Sequence, residues 1–281
     1  MTAPLAGRIC VVAGASRGVG RGIARALGEA GATVVVTGRS SEVGPRTDGR
    51  AETVEDTARL LTEAGGQGYP YHCDHTVERD VDALATWVLR RFGRADLVVD
   101  AVWGGNEGYD GERYGDGSAY GTPFWRRPPG RLGHVFETGV YAQLLLAKAF
   151  APAMVAARQG LIVTVTFDGA GAYLGDVFYD LAKAAMARLA FAMAEELRPH
   201  GVTCLALSPG FVRTERVIEA GHGEETTETP LYAGRAVAAL AADADVRRFG
   251  GRVLQVADLA DHYGFTDEDG GRPRRFVLPT P

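Results

Sequence analysis

The sequence predicts an α/β protein in which a parallel sheet of about seven strands carries helices on both faces. Short apolar runs of strand length alternate with longer segments of helical periodicity along the chain. A glycine-rich turn, Gly14–Gly20, follows the first apolar run, and two long loops follow later strands. This alternation is typical of right-handed βαβ units. Because there is no further internal repeat and no dividing linker, residues 1–281 are expected to form a single domain.

The first half of the chain supplies four of the expected strands. The run Arg8–Ala13 is short and apolar, as in a buried strand, and the periodic helix Val19–Ala30 after it is expected to stop at Gly31. The β-branched run Thr33–Thr37 predicts the second strand. The same signals then predict, in order, helix Ala51–Ala64, strand Tyr69–Cys73, helix Val77–Phe92 and strand Asp96–Ala101.

The second half continues the alternation. Two long helices are expected, at Leu132–Ala157 and Phe178–Arg198. The remaining elements are strand Leu161–Thr166, strand Val202–Leu207, helix Pro230–Ala242 and strand Arg252–Val256. Together these elements predict a Rossmann-type doubly wound sheet, in which ligands bind outside the carboxyl ends of the strands.

Two long loops lie at that expected binding edge. Residues 103–131, roughly 29 residues rich in Gly, Tyr and Arg, have a length typical of a lid or binding loop, with flexible surface decoration as the alternative. Residues 208–229 contain the polar stretch Gly221–Glu225. We expect an inserted loop at 103–131 and a substrate loop at 208–229.

Composition and charge argue against several kinds of partner. The net charge is -5 without a long block of like charge, so neither nucleic acid nor a membrane is expected as a partner. No uninterrupted apolar run approaches the roughly 20 residues that span a bilayer, and the N-terminus lacks a secretory signal. Cys10, Cys73 and Cys204 lie far apart in apolar segments, so we expect buried free thiols in a reducing cytoplasm, with no disulfide and no metal site.

Tyr179 and Lys183 are the candidate catalytic residues. They lie four residues apart, so the phenol and the ammonium group project from the same face of the expected helix. A cation beside a phenol favours the phenolate, so the pair can give or accept a proton near neutral pH. The pair and the glycine turn are each weak signals, but their joint occurrence on an α/β pattern predicts a nicotinamide-dependent oxidoreductase.

From Gly7 to about Val256 the chain resembles the short-chain dehydrogenase/reductase superfamily. The resemblance rests on the G-x-x-x-G-x-G spacing of the turn, the tyrosine–lysine pair, Asp74 after the third strand and the segment Pro209–Thr214. It implies that the turn binds a pyrophosphate, that Asp74 meets the adenine, and that Pro209–Thr214 holds the nicotinamide carboxamide and phosphates. A turn or capping role is the alternative for Asp74. The implied cofactor-binding residues are Gly14, Ser16, Arg17, Gly18, Val19, Gly20, Arg39, Asp74, Ala101, Tyr179, Lys183, Pro209, Gly210, Val212 and Thr214.

The charges at this expected cofactor site favour NADP(H). The second strand ends Val36-Thr37-Gly38-Arg39-Ser40, without the carboxylate that would match a ribose diol. Arg17 and Arg39 can instead form charge-assisted hydrogen bonds to a 2′-phosphate. In the superfamily, basic residues at these two positions accompany a preference for NADP(H). Two solvent-exposed arginines without a ligand are the alternative.

The position of the superfamily's catalytic serine is altered. The resemblance implies that tyrosine transfers a proton, lysine holds the ribose and lowers the tyrosine pKa, and serine hydrogen-bonds the substrate oxygen. Strand register places Phe167 at the serine position, whereas the usual spacing from Tyr179 places Thr166 there. Because successive side chains of a strand point to opposite faces of the sheet, only one of these two residues can point into the site. We favour Phe167 because its alignment needs no gap, and we keep both as candidates.

Two other positions differ from the superfamily pattern. The Asn-Asn-Ala-Gly segment after the fourth strand corresponds to Val99–Gly104, which reads Val-Asp-Ala-Val-Trp-Gly. The helix asparagine that supports a proton-relay water corresponds to Gly139. The dehydrogenase/reductase member 1-like branch also has glycine there and a long insertion after the fourth strand. The chain therefore keeps the proton donor but lacks at least one supporting group.

Several aromatic residues fall in segments expected near the site, either as a local loop core or as substrate lining. In the second case they suit a bulky, flat, apolar substrate such as a polycyclic or aryl ketone. The expected activity is NADP(H)-dependent carbonyl reduction or the reverse. The alternatives are reduction of an imine or activated C=C bond, a non-redox dehydratase or cyclase, and an NADP(H) sensor. The aromatic residues are Trp103, Tyr109, Tyr114, Tyr120, Phe124, Trp125, Phe167, Tyr173 and Phe178.

The helix Phe178–Arg198 also predicts self-association. It is apolar nearly all round, so it needs burial on more than one side. With Leu144–Ala151 it can form a four-helix contact across a two-fold axis, as in relatives. We expect a homodimer or homotetramer that acts on a small-molecule substrate.

Overall fold

The centre of the fold is a seven-stranded parallel sheet with the order β3-β2-β1-β4-β5-β6-β7. It is seen in a computed structural model that describes residues 3–169 and 171–278. Strand order reverses between β1 and β4, which is where doubly wound folds bind ligands. The predicted fold class is confirmed. The strands are β1 Ile9–Ala13, β2 Thr33–Gly38, β3 Gln67–His72, β4 Leu97–Asp100, β5 Gly160–Val165, β6 Val202–Ser208 and β7 Val253–Gln255.

Helices cover both faces of the sheet because successive strand residues point to opposite sides. In β1, Cys10 and Val12 pack into the core beneath α1, α2, α8 and α9, whereas Val11 packs into the core beneath α3, α5 and α6. The helices are α1 Gly18–Glu29, α2 Val54–Glu63, α3 Glu78–Phe92, α4 Gly130–Phe136, α5 Ala142–Ala157, α6 Val177–Leu197, α7 Glu215–Glu219, α8 Pro230–Ala242 and α9 Val256–Tyr263.

Most element boundaries differ from the sequence-based expectation, by three residues at most. The long helix predicted at Leu132–Ala157 starts earlier, and a π-helical segment, Glu137–Tyr141, joins α4 to α5. The last strand stops at Gln255, because Val256 already begins α9. Neither α7 nor α9 was predicted, since both are short.

One continuous helix, Gly130–Ala157, is 28 residues long and, by length and composition alone, is apolar enough to cross a membrane. No uninterrupted apolar run was expected to reach this length. Leu145, Leu146 and Phe150 of this helix are buried in the same core as β4 and β5, so it forms a layer of the fold.

The three cysteines are buried free thiols. Within residues 3–169 and 171–278, no group of three His, Cys, Asp or Glu side chains could hold a metal ion.

Candidate functional site

One cavity of about 690 Å³ brings the predicted site residues together. It opens at the carboxyl ends of the central strands. Its wall includes every predicted cofactor-binding residue, from Gly14 after β1 to Thr214 after β6, and also Thr166 and Phe167. Residues spread along most of the chain are therefore neighbours in space.

The glycine turn after β1 is shaped by close backbone contacts. A Cβ atom on Gly14 would lie 2.7 Å from the carbonyl of Ala101, and one on Gly20 would lie 2.3 Å from the carbonyl oxygen of Gly14. At the start of α1 the N–H of Gly18 donates a hydrogen bond of 2.9 Å to the Glu215 carboxylate. A helix N-terminus attracts anions, and this N–H could donate to a phosphate oxygen in place of the carboxylate. The turn therefore fits a pyrophosphate.

Two arginines lie on the wall beside this turn. One terminal nitrogen of Arg17 is buried without a hydrogen-bond partner among the described residues, and burial lowers the pKa of this guanidinium. Arg39 is ion-paired with Glu107 of the inserted loop. An unpartnered buried N–H favours a ligand that accepts hydrogen bonds. Both arginines can therefore serve a phosphate, provided that Arg39 exchanges its carboxylate partner.

Asp74 lies on the cavity wall and also forms a local turn. Its Oδ1 accepts hydrogen bonds from the N–H and the hydroxyl of Thr76, at 2.9 and 2.7 Å. Asp74 therefore has the turn role considered as the alternative from the sequence. The same residue still lies on the cavity wall, where it could also meet the adenine.

Tyr179 and Lys183 share the face of α6 that meets the cavity. Asp176 caps this helix by accepting hydrogen bonds of 3.0 Å from the N–H groups of Phe178 and Tyr179. The Lys183 ammonium lies 5.4 Å from the centroid of the Tyr179 ring. The predicted spatial pair is therefore formed.

The effect of this pair on the phenol differs from the expectation. Burial raises the pKa of Tyr179, and Tyr114 raises it further. Burial also lowers the pKa of Lys183 to about 7, against the opposing effect of Asp100. The lowered phenol pKa expected from the neighbouring cation is not found in this structure, because desolvation of the buried phenol is the largest influence on its pKa.

Trp103 and Gly139, at two positions where the sequence was expected to depart from the superfamily pattern, pack against each other. The Lys183 ammonium lies 3.7 Å from the centroid of the Trp103 ring, a cation–π contact, and the same ring packs edge-on against Tyr179. A Cβ atom on Gly139 would lie 3.2 Å from the indole. Glycine in the π-helical segment therefore makes room for the tryptophan that covers the lysine.

Asp100, at the end of β4, is a buried carboxyl group that the sequence reasoning passed over. One oxygen accepts a 2.8 Å hydrogen bond from the N–H of Val102, and the other has no hydrogen-bond partner in the described chain. Burial raises the pKa of Asp100 to about 7, while Lys183 acts in the opposite direction. An ionisable residue at the end of a fully apolar strand was the signal that could have identified it.

Thr166 and Phe167 differ in what their side chains contact. The Thr166 hydroxyl donates a 2.9 Å hydrogen bond to the backbone carbonyl of Lys183, and the residue is only 2% exposed. A hydroxyl has one proton to donate, so this bond leaves none for a substrate oxygen. Phe167 is half-buried, and its ring lies 6.1 Å from that of Phe276.

The inserted loop 103–131 is held against the cavity by specific contacts. Arg127 forms a buried ion pair with the helix cap Asp176, and the Tyr120 hydroxyl donates a 2.6 Å hydrogen bond to the carbonyl of Leu174. Five of the nine aromatic residues singled out from the sequence line the cavity: Trp103, Tyr109, Tyr114, Tyr120 and Phe167. The other four do not line it. Phe124, Trp125 and Tyr173 are exposed, and Phe178 is buried against Arg127.

Sequence reasoning missed other residues on the cavity wall. Phe276 and Leu278 come from the C-terminal segment beyond the last strand, and Phe211 lies within the Pro209–Thr214 segment without having been singled out. Glu107 and Glu215 contact predicted cofactor-binding groups. No local pattern marks the C-terminal residues, because their place depends on how the chain returns to the sheet.

Comparison with known proteins agrees with this geometry. The family model for short chain dehydrogenase matches residues 8–225. Human dehydrogenase/reductase SDR family member 1 is 36% identical over 96% of this chain and 86% of its own length. The 7alpha-hydroxysteroid dehydrogenase of Escherichia coli is 26% identical over 75% of this chain and 73% of its own.

A solved metagenomic short-chain oxidoreductase in complex with NADP is 29% identical, with a TM-score of 0.68 over 90% of this chain and 98% of that chain. Because the family model spans most of the sequence and the human relative covers nearly all of it, the chain belongs to the short-chain dehydrogenase/reductase family of oxidoreductases.

Proposed function

We propose that the protein is an NADP(H)-dependent oxidoreductase that reduces a carbonyl group, or oxidises the corresponding alcohol, of a bulky apolar or aromatic small molecule. The observation that carries the proposal is the single cavity shared by Tyr179, Lys183, the glycine turn and the two arginines. The NADP complex of the metagenomic relative supports the choice of cofactor. The hydroxysteroid named for the Escherichia coli relative supports a polycyclic substrate.

Each group on the wall has a role in this proposal. The cofactor, when bound, supplies or accepts the hydride at the substrate carbon. Tyr179 gives a proton to the substrate oxygen or takes it back, and Lys183 holds the ribose. The N-terminus of α1 would hold the pyrophosphate, and Arg17 and Arg39 would hold the 2′-phosphate. Asp74 would meet the adenine, and Val212 and Thr214 would hold the nicotinamide carboxamide and phosphates.

The deciding experiment removes one hydroxyl. Tyr179→Phe should abolish NADPH-dependent turnover of aryl and polycyclic ketones while leaving NADPH affinity nearly unchanged, since the ring is retained. Lys183→Ala should weaken both, because the ammonium contacts the ribose as well as the phenol. Loss of NADPH absorbance measures turnover, and fluorescence titration measures affinity. Full activity in Tyr179→Phe would exclude this mechanism and leave the non-redox enzyme or the cofactor sensor.

A second candidate, reduction of an imine or an activated C=C bond, is favoured by one observation. The Thr166 hydroxyl is engaged by the Lys183 carbonyl, and the neighbouring Phe167 has no donor. A substrate without a developing alkoxide has less need of a donor at this position. Comparing a cyclic imine and an enone with a matched ketone tests this candidate. Faster turnover of the ketone would contradict it.

A further inference from the structure

The C-terminal tail, residues 264–278, is tied to the α8 side of the molecule at its start. Asp267 accepts hydrogen bonds from the N–H and the hydroxyl of Thr229, at 2.9 and 2.5 Å. Arg235 donates to the carbonyls of Thr266 and Asp267, at 2.6 and 2.9 Å. These bonds lie just before and within α8, so they hold the tail beside the end of the substrate loop 208–229.

The end of the tail reaches the cavity in an extended conformation. Phe276 and Leu278 lie on the cavity wall, whereas Val277 between them is 77% exposed. This alternation is the period of two found in extended chains. A Cβ atom on Gly210 would lie 2.5 Å from Thr227 Oγ1, 2.7 Å from Glu228 Oε2 and 3.3 Å from the Cβ of Phe276. The absent side chain therefore leaves room for the end of the substrate loop and also for the tail.

Phe276 joins two other phenylalanines into one apolar surface. Its ring centroid lies 6.1 Å from that of Phe167 and 5.9 Å from that of Phe211. Phe167 follows β5 and Phe211 follows β6, so the three rings come from three distant parts of the chain. Aromatic rings at such spacings present faces and edges that suit another aromatic ring.

We propose that the C-terminal tail forms one wall of the substrate pocket and that Phe276 selects flat fused-ring ketones over small ones. The selection arises because the three-ring surface gains contact with every ring of a flat ligand, whereas a small ketone reaches little of it. The pairing of Phe276 with Phe167 places this surface beside the position at which relatives have a serine. The reaction itself rests on the proposed function, but ligand binding to this wall does not.

The test measures binding of prodan, a fluorescent naphthyl ketone, to the full-length protein in the presence of NADP⁺. Phe276→Ala should weaken prodan binding at least tenfold. Phe276→Leu should weaken it by a smaller factor, since leucine keeps much of the side-chain volume but removes the ring. Val277→Ala, on the outward side of the same tail, is the matched control and should bind as the unaltered protein does. NADPH affinity should stay unchanged in all three, because the tail contributes none of the proposed phosphate or ribose contacts.

Three results would overturn the inference: no prodan binding by the unaltered protein, equal binding by Phe276→Ala, or an equal loss in Val277→Ala. If Phe276→Ala failed to fold, Phe276→Leu would decide the question in the same way. Binding that depends on Phe276, together with no NADPH-dependent reduction of any ketone, would support the wall and reject the proposed function. Turnover of ketones by the unaltered protein, together with unchanged prodan affinity in Phe276→Ala, would support the proposed function and reject the wall.

Discussion

Three features act on the charge of Lys183. The carboxyl group of Asp100 favours the ammonium form, and the face of Trp103 attracts it at 3.7 Å, whereas burial disfavours it. Burial is the largest of the influences on the lysine pKa. Asp100 is itself buried and keeps its proton more readily than an exposed aspartate does. Burial therefore shifts the pKa of both groups toward neutral pH, upward for Asp100 and downward for Lys183.

Asp100 makes stability depend on pH. Its pKa is raised from 3.8 to about 7 on folding, so its contribution to stability is fully present below pH 3.8 and is lost as the pH rises through 7. The asparagine in Asp100→Asn cannot ionise, so the variant avoids this loss. Its free energy of unfolding relative to that of the unaltered protein should therefore increase from acidic to neutral pH. The gain is on the order of 1–3 kcal/mol, because the lost attraction to Lys183 offsets part of it.

Urea unfolding at acidic and at neutral pH measures this difference. Asp82→Asn, on the exposed side of α3, is the control and should show no such change with pH. An Asp100→Asn variant with the same stability difference at both pH values would contradict the assignment of a raised pKa.

Thr166 and Phe167 are distinguished by a pair of substitutions. Because the Thr166 hydroxyl donates to the Lys183 carbonyl, Thr166→Val should be nearly silent in rate and cost about 0.5–1.5 kcal/mol of stability. Phe167→Ser restores a donor toward the substrate oxygen and should change which substrates turn over. If Thr166→Val instead slowed turnover roughly 10²-fold, Thr166 would be the oxyanion donor.

At the scale of elements, the two long loops bring carboxylates to the cofactor side of the cavity. Glu107 of the inserted loop pairs with Arg39, and Glu215 of the substrate loop accepts from the N–H of Gly18. The two carboxylates therefore bind the Arg39 guanidinium and the Gly18 N–H, which are groups proposed to bind the cofactor phosphates. Cofactor binding must therefore exchange these internal partners, which couples it to both loops.

This exchange makes a directional prediction about cofactor affinity. NADPH should bind more tightly than NADH, and Arg39→Ala should narrow the difference. Glu107→Gln should tighten NADPH about threefold to tenfold, since it frees Arg39, and leave NADH unchanged. Glu112→Gln, exposed on the same loop, is the control. Fluorescence titration measures the NADPH and NADH affinities of all four proteins. Equal affinities for the two cofactors in the unaltered protein would contradict the assignment of Arg17 and Arg39 as 2′-phosphate partners.

At the scale of the whole molecule, α5 and α6 leave apolar side chains uncovered. Leu144 is 42% exposed, Leu181 47% and Phe191 37%. The two helices lie side by side on one face of the sheet, so their outer surfaces are available to the same helices of a second copy. The two-fold contact expected from the sequence stays a prediction.

Light scattering should therefore give the mass of a dimer or tetramer at micromolar concentration. Leu181→Asp should dissociate it, because a carboxylate would be buried in an apolar contact. Val43→Asp, at an exposed residue outside α5 and α6, is the control and should leave the mass unchanged. A monomeric mass for the unaltered protein would rule out the predicted association.

The sequence by itself determined the fold class, and it predicted where the candidate site lies. Alternating periodicities are local properties, so they located seven strands and the main helices, and the family assignment is confirmed. The contact that requires glycine at Gly20, with the carbonyl oxygen of Gly14, is equally local, and so is the one-turn spacing of Tyr179 and Lys183. The approach of Gly14 to Ala101 is instead a long-range contact, and only the spacing of the glycines marked that turn. Local patterns set boundaries less well, as β7 shows, because they do not indicate that α9 begins at Val256.

Only the tertiary structure decided which distant side chains meet. It packs Trp103 against Gly139 and Lys183, and it brings Phe276 from the C-terminal tail to Phe167. It also reversed the expected shift in the Tyr179 pKa, since desolvation sums over every neighbour in space, whereas a sequence spacing reveals only one cation. Long-range packing and burial depend on the folded chain as a whole, and no local pattern encodes them.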